Sequence, residues 1–353
     1  MTRPPLPNAH FFEGSTKSVV SYVLNEGYCN AKCPHCYINR VRQTPRKRNP
    51  EQARRDIIEL RDDGYKVLLR GTEILLEREY IPLFRDADQD YVQTNGIVIA
   101  RDPSILEDLA RAQVTTVIIS YPWDEEGLVA VSPVISRRAV IACSEKFNTI
   151  ISIMVTKSLA HNLERIQIAC EEALQAGARA IKFVRIMPLT PDLMTITPSF
   201  QESADVLKEV ARMKAVFDKE RLVLQTPGCF GMFEFRRSLN PQKFGNRDFS
   251  DSMDCPAGVR NFVIDLDNSV YSCLYLMSAE LRIGTFSYGQ IIIDAPQSVP
   301  GRRRIPECPA FLHWTTRFAG ILNDFTLEVL NSAGQGHLDH PESKVPVALP
   351  ADV

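Results

Sequence analysis

The 353-residue chain has no excess of either charge: 41 Lys and Arg face 43 Asp and Glu, a formal net charge of −2. Nothing in that balance draws it to nucleic acid or to an anionic membrane, and neither is expected as a partner. Long apolar runs are also missing. The longest, Val114–Ser120 and Ile150–Val155, are strand-sized and far short of the roughly 20 residues a membrane-crossing helix needs. The opening Met1-Thr2-Arg3-Pro4-Pro5-Leu6-Pro7 lacks the apolar core of a secretory signal, which points to the cytoplasm. No repeat of solenoid period is visible. What is present, a 44% hydrophobic composition, suffices for one large core with a smaller appended unit, or for two ordinary cores.

The nine cysteines carry most of the information. In a reducing compartment they read as metal ligands or buried thiols before disulfides. Three lie within Glu26-Gly27-Tyr28-Cys29-Asn30-Ala31-Lys32-Cys33-Pro34-His35-Cys36-Tyr37, three more are Cys255, Cys273 and Cys308, and Cys143, Cys170 and Cys229 stand apart. Cys143 and Cys170 fall in predicted helices among aliphatic neighbours, where a free cysteine acts as a small core residue.

From Val19 to about Met187 short β-rich runs alternate with helical stretches, the pattern of a parallel sheet wrapped by helices. Six strands are predicted, at Val19–Leu24, Lys66–Arg70, Tyr91–Thr94, Val114–Ser120, Thr149–Val155 and Ala180–Ile186. Asn49-Pro50-Glu51 reads as N-cap, first-turn proline and acidic first turn of a helix that ends at Gly64, and a second helix is predicted from Leu159 to Ala176, closed by Gly177. A curved, incomplete parallel barrel follows, with its chemistry at the C-terminal ends of the strands. Beyond Met187 the rhythm changes to a turn, a helix at Ser199–Lys219 and a short strand at Arg221–Gln225. A hairpin is then expected at Asn261–Leu266 and Ser269–Leu274 around Asp267-Asn268. The Pro-rich segment from about Gly334 is expected to be disordered.

The Cys-x3-Cys-x2-Cys segment follows the first strand directly, at the expected active end. Three soft thiolates select an iron–sulfur cluster, zinc or Cu(I), and a cubane held by three of them leaves one iron open. A structural zinc site wants four ligands, and His35 is the one further donor nearby. A c-type haem needs a His where Tyr37 stands.

This motif, with His35 at the aromatic position before its last cysteine, resembles the signature of the radical S-adenosylmethionine (radical SAM) superfamily. The resemblance implies a partial (β/α)6 TIM-like barrel at 19–190 after an N-terminal extension of 1–18. It implies a [4Fe–4S] cluster on Cys29, Cys33 and Cys36 whose open iron takes S-adenosylmethionine, cleaved to methionine and a 5′-deoxyadenosyl radical. Arg70-Gly71-Thr72-Glu73 is similar to a Gly-Gly-Glu element, with Thr72 in place of the second glycine, and Gly71, Thr72 and Glu73 become candidate contacts to the methionyl amine. Thr94-Asn95-Gly96 matches a family Thr-Asn-Gly element that includes Asn95, and Ser120 and Ser152 stand where relatives face the ribose or carboxylate. Arg185 lies in a segment similar to the one along adenine. Without the resemblance, Gly71-Thr72-Glu73 and Asn95-Gly96 read as turn chemistry and Arg185 as a structural or surface arginine.

The second cysteine group resembles the SPASM or Twitch auxiliary-cluster extension, with Asn268 where a glycine is usual. That implies a small α+β unit at 226–333, joined through 191–225, with a second [4Fe–4S] cluster on Cys255, Cys273 and Cys308. Cys229, His313, substrate or solvent would supply the fourth ligand. Phe311 occupies the place of a second late cysteine. The implied partners are a small molecule or a peptide as substrate and an electron donor such as flavodoxin or ferredoxin. The few residues before the first strand tilt the expectation toward a small molecule or a short peptide delivered otherwise. The basic runs Arg40–Arg48 and Arg302–Arg304 read as solvated surface or as a face for such partners. The competing reading is a non-catalytic protein with structural zinc or iron–sulfur sites.

Overall fold

The structure is a computed structural model that describes residues 18–36, 45–123, 127–217, 222–226, 230–231, 257–294 and 308–317. The first strand, β1 (Val19–Glu26), is buried along its whole length, as an interior strand of a parallel sheet requires. It lies parallel to β3 (Lys66–Gly71) on one edge. The two-residue β2 (Arg46–Lys47) lies antiparallel on its last residues. The next strands, β4 (Tyr91–Thr94), β5 (Thr116–Tyr121), β6 (Asn148–Val155), β7 (Ala180–Arg185) and β8 (Val223–Gln225), form a second parallel sheet in chain order. All six predicted barrel strands are present, and β8 extends the row by one.

The two sheets are not joined by a backbone ladder between β3 and β4. Side chains span the break instead. Gln89 accepts the Leu69 N–H at 2.6 Å and donates to the Tyr91 carbonyl at 2.7 Å, while Arg70 donates to the Tyr91 hydroxyl at 3.0 Å. The barrel is therefore partial, with Gln89 replacing the missing main-chain bonds.

Helices cover the outside. In α1 (Pro50–Asp62) the Asn49 side chain accepts from the backbone of Glu51 and Gln52, so the predicted cap forms as read. The helix expected over 159–176 is two, α5 (Lys157–His161) and α6 (Glu164–Gln175) in a series whose α2 (Ile97–Arg101), α3 (Ile105–Arg111) and α4 (Pro133–Ser144) lie upstream. Asn162 leaves helical geometry at φ −133°, and Thr156 separately caps the first piece by accepting from Leu159. After α7 (Pro191–Ile196), the long α8 (Phe200–Phe217) buries Val206, Leu207, Val210, Met213 and Phe217 at helical spacing.

The hairpin forms as β9 (Asn261–Ile264) and β10 (Ser269–Tyr271), shorter than predicted because Asp265–Asn268 make the turn and Cys273 caps a 3-10 turn at Leu274–Leu276. Asn268 takes φ 65°, the left-handed geometry that its replacement of glycine implied. The antiparallel β11 (Gly284–Ser287) and β12 (Gln290–Ile293) complete this part. β9 pairs in parallel with β1, Val19 opposite Asn261 and Tyr22 opposite Ile264, so the hairpin continues the barrel's own sheet. A last helix, α9 (Pro309–Arg317), follows.

Among the described residues no helix is long and apolar enough to cross a membrane. Cys143 and Cys170 are buried in the main core, and burial pushes both thiols up to about 12, as inert packing residues. The segment from Gly334 lies outside the described residues.

Candidate cluster and S-adenosylmethionine site

The cysteine loop begins where β1 ends. Gly27 takes φ 72°, and a side chain there would press on Pro45, so the chain turns out of the strand at a residue that needs none. Cys29, Cys33 and Cys36 follow as partly exposed thiols that form no disulfide. Their sulfurs are acceptors of N–H groups: Ala31 N donates to Cys29 Sγ at 3.4 Å, Asn95 Nδ2 to Cys29 Sγ at 3.6 Å and Ala130 N to Cys33 Sγ at 3.3 Å. Cys36 N closes a turn on the Cys33 carbonyl at 3.1 Å.

The element after β3 fastens this loop. Thr72 Oγ1 donates to the Tyr28 carbonyl at 2.7 Å, and Thr72 N donates to Asn25 Oδ1 at 2.9 Å. A Cβ on Gly71 would strike that same Asn25 oxygen, so a glycine is required there by the interlock with β1. Glu73 is 1% exposed. Its carboxylate accepts from Thr94 Oγ1 at 2.9 Å, Asn95 N at 2.8 Å and Leu75 N at 3.3 Å. Burial raises its pKa to about 7 against those donors. The Asn95 amide, held by Glu73, reaches Asn30 Oδ1 at 2.7 Å as well as Cys29.

Three of the predicted positions, Thr72, Glu73 and Asn95, are thus brought to the cysteine loop, with Gly71 beneath them. His35 is there too, but its Nδ1 lies 2.6 Å from the Leu128 carbonyl. Ser120 and Ser152 are neighbours in register, and the row continues through Lys182 and Gln225. These four share the face of Ile118, Ile150 and Ala180, which pack with Leu68 and Tyr91 as the apolar floor of the barrel interior. A polar layer therefore lies above an apolar one. Arg185, at the end of β7, is 3% exposed with its guanidinium 3.7 Å from the centre of the Phe311 ring on α9.

Sequence reasoning missed Asn25, Lys182 and Gln225, and the segment Gly127–Val131. Asn25 gave no local signal, since Ser21 and Glu26 also lie in its strand, whereas Lys182 was signalled by a cation inside an aliphatic run. The segment carries no composition signal, because its Ala130 acts through a backbone N–H.

Of the second cysteine group, Cys308 is 6% exposed in an apolar cluster with Ile186, Met187, Leu276, Phe311 and Trp314, against which Cys273 also packs. Cys273 Sγ accepts from Tyr275 N at 3.5 Å, and Trp314 Nε1 donates to the Tyr275 carbonyl at 2.7 Å. His313 sits edge-on to Trp314, and burial lowers its pKa. Cys229 and Cys255 lie outside the described residues. The described part of the first basic run is committed within the chain: Arg46 pairs with Glu26 at 2.9 Å, Lys47 with Glu77 at 3.0 Å, and Arg48 lies between β1 and the hairpin turn. Arg302–Arg304 are outside the described residues.

Among the described residues no three His, Cys, Asp or Glu side chains are gathered about one point as a bound ion would gather them. The donor chemistry of the first loop nevertheless fits an iron–sulfur cluster: three unbridged thiols on one loop, with N–H donors on the sulfurs of Cys29 and Cys33. Burial pushes the Cys29 thiol up to about 11, so it becomes a thiolate only when a metal takes the place of its proton.

The fold is similar to that of solved structures. SuiB of Streptococcus suis matches with a TM-score of 0.59 at 17% identity, over 74% of this chain and 61% of SuiB. SuiB bound to S-adenosylmethionine matches equally, at 0.59 and 16% identity. Native anSMEcpe with bound AdoMet and the Kp18Cys peptide matches at 0.57 and 15% identity, over 76% of this chain and 77% of that one. The matched part spans about three-fifths of SuiB. No protein-family model and no curated protein sequence matches. In fold, then, the chain stands with SuiB and anSMEcpe, two proteins solved with S-adenosylmethionine bound, in agreement with the radical SAM resemblance of its cysteine loop.

Proposed function

We propose that the chain is a radical SAM enzyme that removes hydrogen from a peptide substrate. The observation that carries this reading is the Cys29–Cys36 loop at the C-terminal end of β1, its sulfurs met by Asn95 and Ala130, on the fold of two proteins solved with S-adenosylmethionine. The peptide is supported by the same neighbours, since SuiB is solved with its precursor peptide SuiA and anSMEcpe with the Kp18Cys peptide.

Cys29, Cys33 and Cys36 would hold a [4Fe–4S] cluster. Such a cluster, when bound, supplies the electron that cleaves S-adenosylmethionine to methionine and a 5′-deoxyadenosyl radical. The chain's own part is positioning. Gly71 and Thr72 present backbone close to the loop, and Glu73 orients Asn95 rather than meeting ligand itself, because its oxygens already serve Thr94, Asn95 and Leu75. Ser120 and Ser152 offer hydroxyls from the interior face for the cofactor's ribose or carboxylate. Arg185, buried under Phe311, joins the end of β7 to the region of Cys273 and Cys308, where a second cluster would sit with Cys255. An external electron donor such as flavodoxin or ferredoxin would reduce the cluster before the cleavage, and the electron of the resulting substrate radical would pass to the second cluster.

Anaerobic reconstitution tests the reading. The expected result is iron and sulfide in cubane ratio and release of 5′-deoxyadenosine with dithionite, lost in Cys29→Ala. Uptake of zinc alone, with no cleavage of S-adenosylmethionine, is the outcome of the competing structural-metal reading and would reject this one.

A further inference from the structure

We infer that the segment Leu128–Ala130 sets the reduction potential of the cluster proposed on Cys29, Cys33 and Cys36, through the Ala130 N–H aimed at Cys33 Sγ. The inference rests on the proposed function and adds to it a device on a part of the chain far from the cysteine motif.

The segment lies between β5 and α4. Its central contact is Ala130 N to Cys33 Sγ at 3.3 Å. Three further contacts hold that donor in aim. On one side the Leu128 carbonyl meets His35 Nδ1 at 2.6 Å, which ties the segment to the cysteine loop itself. On the same side Val129 and Val131 are buried with Ala31 and Ile97, and Cys29 and Cys33 pack against this patch. On the other side the Leu128 side chain is buried with Ile186, Met187, Phe311 and Cys308. The segment is therefore a wall with Cys29 and Cys33 on one face and Cys308 on the other.

An N–H directed at a cluster sulfur stabilises the more negative, reduced state, and such hydrogen bonds are a recognised determinant of iron–sulfur potentials. The donor is a main-chain group, so most substitutions at position 130 leave it intact. Proline removes it.

The experiment uses the full chain, reconstituted anaerobically with iron and sulfide and titrated against potential while the cluster signal is followed by electron paramagnetic resonance. Ala130→Pro is expected to take up the same iron as wild type and to shift the midpoint of the Cys29/Cys33/Cys36 cluster to a more negative value. His35→Phe keeps an aromatic ring but loses the tether to Leu128, and Leu128→Ala loosens the opposite anchor. Both are expected to move the midpoint in the same direction by less. Midpoints equal to wild type in cluster-bearing variants overturn the inference. Should Ala130→Pro take up no iron, the other two variants decide it. A wild-type chain whose three cysteines take up no cluster, or whose cluster signal ignores added S-adenosylmethionine, instead overturns the functional reading beneath.

Discussion

Glu73 shows how a single buried carboxylate organises the site. Its pKa is raised to about 7 by burial, against an ordinary value of 4.5, so the folded chain binds this proton more tightly than the unfolded one. The stabilisation is fully present below about pH 4.5 and is lost as pH rises through about 7. Thermal melts of the metal-free chain between pH 5 and 8 should show stability falling with pH by up to about 3 kcal/mol from this group. Glu73→Gln should flatten that slope. Asn25 acts beside it, accepting twice from Thr72 and donating to the Glu73 carbonyl from a fully buried position. Asn25→Ala strands those groups and should cost about 2–3 kcal/mol in urea unfolding, with weaker retention of S-adenosylmethionine in the reconstituted protein. The cysteine loop was legible as a local spacing of soft ligands, whereas Glu73 and Asn95 entered the reading only through the family resemblance, because alone they look like turn residues. Asn25 was not legible, since its role appears only when β1 and β3 lie side by side.

Among the elements, the hairpin is the one whose attachment could not be read. Its alternating pattern and its Asp-Asn turn were legible, because period-two alternation and left-handed asparagine are local properties. Its place beside β1 was not, because a parallel pairing between Val19–Tyr22 and Asn261–Ile264 leaves no mark in either segment alone. Arg48 secures the junction. It donates to the Val23 carbonyl at 3.0 Å and to Asn268 Oδ1 at 2.9 Å, reaches the Asp265 carbonyl, stacks on Tyr22 and lies 3.8 Å from Asp56. Arg48→Met keeps the stem but deserts Asp56 and three acceptors, so unfolding should become easier by about 3 kcal/mol. Limited proteolysis should then cut first within 265–268, and unchanged cleavage there would contradict this attachment. The split of the predicted 159–176 helix had a similar cause: Asn162 was a visible weak point whose effect depended on how α5 and α6 pack.

At the scale of the whole molecule, described cysteines of both groups meet one wall, since Leu128 is buried with Cys308 while its neighbours Val129 and Val131 pack with Cys29 and Cys33. Iron analysis of a Cys29/Cys33/Cys36→Ala triple variant should therefore find about half the wild-type iron, on the order of four atoms per chain remaining in the second group. No remaining iron would remove the auxiliary cluster from the scheme. The barrel order was readable from alternation, and the break between β3 and β4 was not, because it is sealed by Gln89, a polar residue that carries no strand signal.

The partnership of β1 with β9 also bears on synthesis. One edge of β1 waits for a partner that is synthesised about 240 residues later, Val19–Tyr22 pairing with Asn261–Ile264. At about 5–20 residues per second, that interval is on the order of tens of seconds. During it the nascent strand's amides along that edge are open to other chains.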